Sequence, residues 1–253
     1  MYMSRILRSA ESALKSGVTR APKAWKSGSE WEQEDLEKYS ITIQRQSPRQ
    51  FFGFIPTELP QVGQAFLTST LATKELSYSC FQLHQYLELA SEPEVRETAI
   101  DDFAREILRA VEFEERGVVL RARHVIPLSM SGEGTTSART NICLFHGNME
   151  MVLLLQQNKT DASSRDPEPQ LIAEAIAAFQ ANNLARTKAH LSELDRMTIP
   201  CLTMVGTRPT FYKIPITKAL SDAVTDDTSP QKTTRVTKCL VTTSCRLGVW
   251  RGS

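Results

Sequence analysis

The sequence predicts a mixed α/β fold, because an amphipathic helix, three strands and a second amphipathic helix follow one another through its middle. The first helical pattern spans 94–117 and ends at Gly117, and its apolar stripe comprises Ala99, Ile100, Phe103, Ile107, Leu108 and Val111. Three strand-like segments come next, at 118–130, 141–145 and 151–157. A second apolar stripe over 168–181 leads to a further strand at 201–205. This order predicts a mixed sheet with helices on its faces.

Turn-forming residues separate these segments and fix their limits. The stretch "VVLRARHVIPLSM" has strand character and ends in "SGEGTTS", which is a turn by composition. "TNICLF" and "MVLLLQQNKT" are two strands joined at a Gly-Asn turn. The last strand, in "IPCLTMV", is followed by a Gly206-Thr207-Arg208-Pro209 turn and another strand in "TFYKIPIT". We therefore expect residues 94–227 to form the α/β core.

Residues 31–93 predict a helical extension in front of this core. "SEWEQEDLEKY" is an acidic helix start for which Ser29 is the expected cap, and "ELSYSCFQLHQYLELA" is a second helical stretch. We expect two or three helices here.

The two ends of the chain are basic. Residues 1–30 form a leader in which the first 28 carry six basic side chains and one acidic one, Glu11. This pattern fits a disordered basic arm, and it also fits a mitochondrial transit peptide. Residues 228–253 carry five basic side chains and no acidic one, are rich in Thr and Ser, and show no helical period. We expect both ends to be poorly ordered, because neither has enough apolar surface to offset the entropy of ordering.

Composition narrows the class of protein. The chain has 253 residues, 41% of them hydrophobic, and a net charge of +1. No apolar run is long enough to span a bilayer, so we expect an intracellular protein, cytoplasmic or nuclear unless the leader directs it to mitochondria, with no membrane partner. Its five cysteines have no CxxC spacing, which disfavours a zinc site and a disulfide framework.

The candidate site lies where the second and third core strands carry polar residues. Asn141 begins one strand, and the long apolar strand after it ends in Gln157, Asn158 and Lys159. Residues two apart on a strand point to the same face, so Gln157 and Lys159 share one. Taken alone, these are also ordinary strand-terminating polar residues and a solvated lysine.

The order of elements and these strands resemble the PD-(D/E)XK nuclease-like superfamily, whose core is restriction-endonuclease-like. Within it, residues 31–217 are most similar to a group of uncharacterised fungal proteins. The stretches "DPEPQLIAEAIAAFQ" at 166–180 and "TMVGTRPTFYKIPIT" at 203–217 carry that similarity.

The resemblance implies a magnesium-dependent site built from two carboxylates and a lysine two residues beyond the second. The corresponding positions here are Asn141, Gln157 and Lys159, so both carboxylates are amides. Each amide keeps one carbonyl oxygen and loses the negative charge. We therefore expect weak metal binding or none, with no cofactor, and Lys159 as a phosphate contact.

Other polar residues are candidates to support or replace the missing pair. Glu97 and Asp101 lie four apart on the first helix, where this superfamily often places a metal-binding acid, although they also fit a solvated helix face. On the second helix, Gln170 and Glu174 fit an ordinary i,i+4 pair, and the resemblance implies that Gln170 faces the site. Glu133, in the loop between the first two strands, is a candidate substitute ligand.

Three functions stay open from the sequence. One is a degenerate nuclease-like domain, a pseudoenzyme that retains binding to nucleic acid or to a protein. Another is an active Mg²⁺-dependent phosphodiesterase with a migrated carboxylate. The third is an interaction protein without a site. The near-neutral charge disfavours strong DNA binding, which needs a concentrated basic face.

Overall fold

The computed structural model describes residues 26–54, 66, 76–92, 97–114, 117–130, 134–147, 150–158 and 166–240. Within these residues one seven-stranded sheet runs in the order β1-β7-β6-β5-β4-β3-β2. Its strands are β1 (Ile41–Arg45), β2 (Val118–Met130), β3 (Gly134–His146), β4 (Glu150–Asn158), β5 (Arg196–Val205), β6 (Arg208–Thr217) and β7 (Thr234–Leu240). The pairs β1–β7 and β4–β5 are parallel, and the other neighbouring pairs are antiparallel.

Helices cover both faces of the sheet. A 3-10 turn (Gly28–Glu30) precedes them, and the helices of the described residues are α1 (Gln33–Lys38), α2 (Pro48–Phe52), α3 (Tyr78–Ser91), α4 (Glu97–Ala110), α5 (Glu168–Lys188) and α6 (Lys218–Thr225). On one face, here called the α5 face, the main core packs around α5. On the other, the α4 face, α3 and α4 form a second apolar cluster over β3, β4 and β5. The predicted mixed α/β sheet flanked by helices is confirmed.

Residues 171–179 of α5 are all buried, although the sequence predicts a single apolar stripe there. The sheet covers one side of the helix, and α1, α6 and the 3-10 turn also pack against it while contacting strands of the sheet themselves. A helix that is apolar all round is a buried helix. At the closest approach, a Cβ added to Gly28 would lie 2.9 Å from the Cβ of Ala138, so this position requires glycine. The N-terminal extension is thus part of the core.

The predictions for the C-terminal tail and for the N-terminal extension need correction. Residues 234–240, expected to belong to a poorly ordered tail, form β7 between β1 and β6. The expectation rested on too little apolar surface, whereas Val236 and Cys239 are fully buried and Lys238 between them is tolerated in a strand. The extension, expected to be helical, also contributes a strand, β1. The predictions for residues 1–25 and 241–253 concern segments outside the described residues.

Helix α1 starts later than the sequence predicts. Its N-cap is Glu32, whose capping box is completed by Asp35, while Ser27 caps the preceding 3-10 turn. Ser29 instead hydrogen-bonds Ser27 at 2.8 Å between the two hydroxyl oxygens. The prediction of Ser29 as the cap was therefore wrong, because a 3-10 turn intervenes. None of the helices in the described ranges has the length and apolar character to cross a membrane.

A local irregularity in the β2–β3 ladder decides the environment of Asn141. On a regular strand Ala138 and Ile142 would share a face, yet Ala138 belongs to the α5-face core and Ile142 to the α4-face cluster. Opposite Asn141, Arg123 has a φ of 52°, a left-handed conformation that is rare for a residue with a Cβ. The strand pair therefore rotates at this point. As a result Asn141 faces α4.

Candidate functional site

Asn141 is paired with Asp101 across the interface between β3 and α4. The Nδ2 atom of Asn141 donates to both carboxylate oxygens of Asp101, at 3.1 Å each. Both residues are half-buried. The amide of Asn141 therefore satisfies both oxygens of Asp101 with neutral N–H donors.

Position 157 of the neighbouring strand belongs to the same face of the sheet. In the parallel β4–β5 ladder Gln157 is the register partner of Met204, which packs in the α4-face cluster. Leu155, two residues before it, pairs with Ile142 next to Asn141. The backbone thus brings positions 141 and 157 onto adjacent strands and one face.

The other members of the predicted site lie outside what the structure describes. This holds for the side chains of Gln157 and Glu97 and for the whole of Lys159 and Glu133. Their roles stay predictions.

Gln170 and Glu174 lie on the opposite face of the sheet from Asn141. Gln170 Nε2 donates to Glu174 Oε1 at 2.9 Å, and Glu174 is fully buried beside Thr140. Its second oxygen, Oε2, has no hydrogen-bond partner among the described residues. Burial raises the pKa of Glu174 to about 8, against the opposing effects of Gln170 and Thr140. At neutral pH Glu174 is therefore mostly protonated and uncharged.

The supporting residues named from the sequence thus divide between two environments. Asp101 joins Asn141 on the α4 face, while Gln170 and Glu174 lie behind β3 on the α5 face. Thr140, which precedes Asn141, is the residue between them, and its hydroxyl donates to the carbonyl of Ile142 at 3.0 Å. No group of three or more His, Cys, Asp or Glu residues that could hold a metal occurs in the described part of the chain.

A small polar pocket of about 250 Å³ adjoins Asp101. Asp102, Arg105 and Arg123 line it together with Asp101, and Arg105 forms an ion pair with Asp102. Its lining therefore balances two carboxylates with two guanidinium groups. Such a neutral pocket does not favour a divalent cation, which needs an excess of anionic ligands.

A second polar cluster escaped the sequence analysis. Lys238 Nζ lies 2.6 Å from Glu168 Oε1, the same oxygen that accepts from the Tyr212 hydroxyl at 2.9 Å. Thr203 extends the cluster, with 3.5 Å between its hydroxyl oxygen and that of Tyr212. Burial raises the pKa of Tyr212 far above its ordinary value. The sequence signal was Glu168 within "DPEPQ", but its partner Lys238 lies in the segment expected to be a tail.

Neither a protein-family model nor a curated protein matches this chain.

Proposed function

We propose that the chain is a catalytically degenerate nuclease-like domain that keeps a binding role, toward nucleic acid or toward a protein. The fold supports this proposal through its order of elements. Helix α4, the antiparallel strands β2, β3 and β4, helix α5 and the parallel strand β5 follow the order from which the resemblance to the PD-(D/E)XK nuclease-like superfamily starts.

The pairing of Asn141 with Asp101 carries the proposal. In a working site of this kind, two carboxylates at these places would repel each other unless a cation lay between them. Here the amide of Asn141 satisfies both oxygens of Asp101 without a cation. A metal ion would have to displace these two hydrogen bonds and would gain a single neutral carbonyl oxygen from Asn141.

Glu174 does not replace the negative charge that the amides at positions 141 and 157 lack. It lies on the α5 face, behind the strand that carries Asn141, and it is mostly protonated at neutral pH. Ionising it would require a buried carboxylate with one oxygen unpaired, which is costly. The described negative charge next to Asn141 is that of Asp101.

The alternative function, an active Mg²⁺-dependent phosphodiesterase, is supported by Asp101. Among the candidate migrated carboxylates, Asp101 is the one whose side chain the structure describes beside Asn141. In that alternative Mg²⁺ binds Asp101 with Glu97 or Glu133, and the chain is a phosphodiesterase. The two functions differ in one measurable property, the dependence of cleavage and stability on magnesium.

The test restores the lost charges. The double variant Asn141→Asp, Gln157→Glu is compared with the wild type by thermal melting in EDTA and in millimolar Mg²⁺. We expect no Mg²⁺-dependent change for the wild type and a rise in melting temperature for the variant, because a ligand that binds only the native state stabilises it. A matched control, Asn183→Asp with Gln85→Glu, adds the same charges elsewhere and should not respond to Mg²⁺.

Cleavage is measured in parallel with fluorescent single- and double-stranded DNA and RNA, in Mg²⁺ and in Mn²⁺. We expect none from the wild type. Wild-type cleavage that EDTA abolishes would disprove the degenerate function, and the substitutions Glu97→Gln, Asp101→Asn and Glu133→Gln would then identify the migrated ligand.

A further inference from the structure

A large apolar groove crosses the α4 face of the sheet next to the candidate site. Its volume is about 850 Å³. Leu202 and Met204 of β5 and Phe211 of β6 form its floor, the C-terminal half of α4 forms one wall, and α2 forms the other. Met204 is also the register partner of position 157, so the groove begins where the candidate site ends.

Both rims of the groove expose large apolar side chains. Val111 and Phe113, just beyond α4, are 43% and 46% exposed, and Phe52 of α2 is 37% exposed. Single exposed apolar residues are common, but a contiguous apolar surface of this kind is typical of an interaction site.

The hydrogen bonds at the C-terminal end of α4 position Phe113 at the rim of the groove. The amide of Phe113 donates to the carbonyl of Leu108, and that of Glu112 to the carbonyl of Arg109. This is the hydrogen-bond pattern of a Schellman motif, in which the residue in the left-handed conformation is usually glycine. Here it is Glu112, with a φ of 60°. A charged side chain is thus held in an uncommon backbone conformation beside an exposed phenylalanine.

The width of the groove matches one α-helix. Helix α4 packs on β3 and β4, and α2 packs on β7, so about three and a half strand spacings separate them along the sheet. At roughly 4.8 Å per spacing this is about 17 Å. Helices packed side by side have axes about 8–10 Å apart. The strands between α2 and α4 therefore offer a seat for a single additional helix.

Charged side chains at the two rims of the groove favour one orientation of a bound helix. Among the groove-lining residues that the structure describes, the charged side chains are Glu112 on the α4 side and Lys213 on the α2 side. Lys213 lies over the Phe51 ring and donates to the Phe51 carbonyl, and neither Glu112 nor Lys213 has an ion-pair partner in the described residues. A helix in the groove is therefore favoured when it carries a basic residue toward Glu112 and an acidic residue toward Lys213.

We infer that this groove binds one amphipathic α-helix of a protein partner, with the apolar stripe of that helix against Leu202, Met204 and Phe211. The binding mode is that of a helix in a hydrophobic groove, read through apolar residues at i, i+3, i+4 and i+7. The inference rests on the proposed function in taking the retained activity to be binding, and it specifies a protein as what is bound.

A peptide-display selection on the full-length chain tests it. One library presents 16-residue helices with apolar residues varied at i, i+3, i+4 and i+7 and polar residues elsewhere, including both charges at the flanks. A second library has the same composition with the apolar residues in strict alternation, which cannot form a helical stripe. We expect the helical library alone to yield binders.

Matched variants then locate the binding. Val111→Asp lies on the rim, and Val125→Asp makes the same change at a valine of β2 that is 48% exposed and does not line the groove. We expect Val111→Asp to weaken the selected helices roughly tenfold or more and Val125→Asp to weaken them less than about twofold, because a few central apolar contacts dominate such interfaces. Circular dichroism checks folding, and Phe113→Ser replaces Val111→Asp if that variant does not fold.

Crosslinking shows whether the groove is occupied by a partner helix, by a segment of the same chain or by a second copy of the chain. A photoreactive benzoylphenylalanine at position 113 should crosslink to the selected peptide. Crosslinks within the same chain would show that one of its own segments fills the groove, and crosslinked dimers would show a second copy; either result overturns the inference. The inference is also overturned if neither library yields binders, or if Val111→Asp and Val125→Asp weaken binding of the selected helices equally. Magnesium-dependent cleavage by the wild type would instead overturn the proposed function while leaving helix binding intact, so the two failures are distinguishable.

Discussion

The two faces of the sheet differ in how completely they are covered. On the α5 face a 21-residue helix packs against the sheet and against the N-terminal extension, and residues 171–179 are all buried. On the α4 face, α3 and α4 cover β3 and β4, and an apolar groove runs beside them. The α5 face thus has the character of a core, and the α4 face has the character of a surface that carries both the candidate site and an apolar groove.

Each face also holds one acidic side chain close to β3, and the two differ in burial and in hydrogen bonding. Glu174 on the α5 face is fully buried and mostly neutral, with one oxygen unpaired in the described structure. Asp101 on the α4 face is half-buried and has both oxygens bonded to Asn141. The comparison teaches that a buried carboxyl with an unpaired oxygen is kept neutral on the α5 face, whereas a half-buried carboxylate on the α4 face is satisfied by a neighbouring amide.

The largest effect is expected from truncating the α5 core. Phe179→Ala should lower the free energy of unfolding by about 3–5 kcal/mol, because the side chain is buried and the cavity cannot close fully. Leu184→Ala, in the same helix at an exposed position, should cost less than about 1 kcal/mol. Urea unfolding at constant m-value measures both. Equal losses would show that α5 is not enclosed by the extension.

Glu174 should make stability depend on pH. Its pKa in the folded chain, about 8, lies above the ordinary value of 4.5, so the folded state holds the proton more tightly than the unfolded state. The resulting stability is complete below about pH 4.5 and is lost as the pH rises toward about 8. Glu174→Gln removes this loss and should be more stable than the wild type at pH 8.5, by a few kcal/mol.

The control for this effect is Glu37→Gln, at an exposed position of α1. Its unfolding free energy should follow that of the wild type at every pH between 5 and 9. If Glu174→Gln behaves in the same way, Glu174 is ionised in the folded chain and its burial has been overcome by another contact.

The pair Lys238–Glu168 should attach β7 to the start of α5. In a double-mutant cycle with Lys238→Met and Glu168→Gln, we expect a coupling of about 1–2 kcal/mol, since the pair is mostly buried and Tyr212 shares the same carboxylate. The exposed pair Lys218–Asp222 is the control and should couple by about 0.3–0.5 kcal/mol. Equal couplings would remove the argument that β7 is fastened to the core through this contact.

The sequence predicted the central elements of this fold better than its edges, for a physical reason. The helices α4 and α5 and the strands β2 to β5 have regular apolar patterns that are visible in the chain. The strand β7 is short and basic, and its parallel pairing with β1 joins parts of the chain that are far apart in sequence. No local pattern reports such a pairing.

The arrangement of the candidate residues was predictable only in part. The strand pattern placed Asn141 and Gln157 on neighbouring strands, and the resemblance made Asp101 a candidate. The pairing of Asn141 with Asp101 could not be foreseen, because it depends on the rotation of the ladder at Arg123, which depends on backbone conformation and not on residue type. The same rotation leaves Glu174 on the other face, a separation that a linear motif cannot express.

The smallest predicted effect tests that pairing directly. Asn141→Asp, without added metal, puts a second carboxylate against Asp101 and replaces two hydrogen bonds with repulsion, so stability at pH 7 should fall by an amount on the order of 1 kcal/mol. The loss should disappear near pH 4, where one of the two facing carboxyls is protonated and can donate to the other. The matched control exchanges the partners, since Asp101→Asn combined with Asn141→Asp restores one amide and one carboxylate and should recover most of the stability at pH 7. Chemical unfolding of the three variants and the wild type at both pH values measures this. If the exchanged variant is as unstable as Asn141→Asp alone, the two side chains are not each other's partners, and the argument that the Asn141 amide satisfies Asp101 without a cation fails as well.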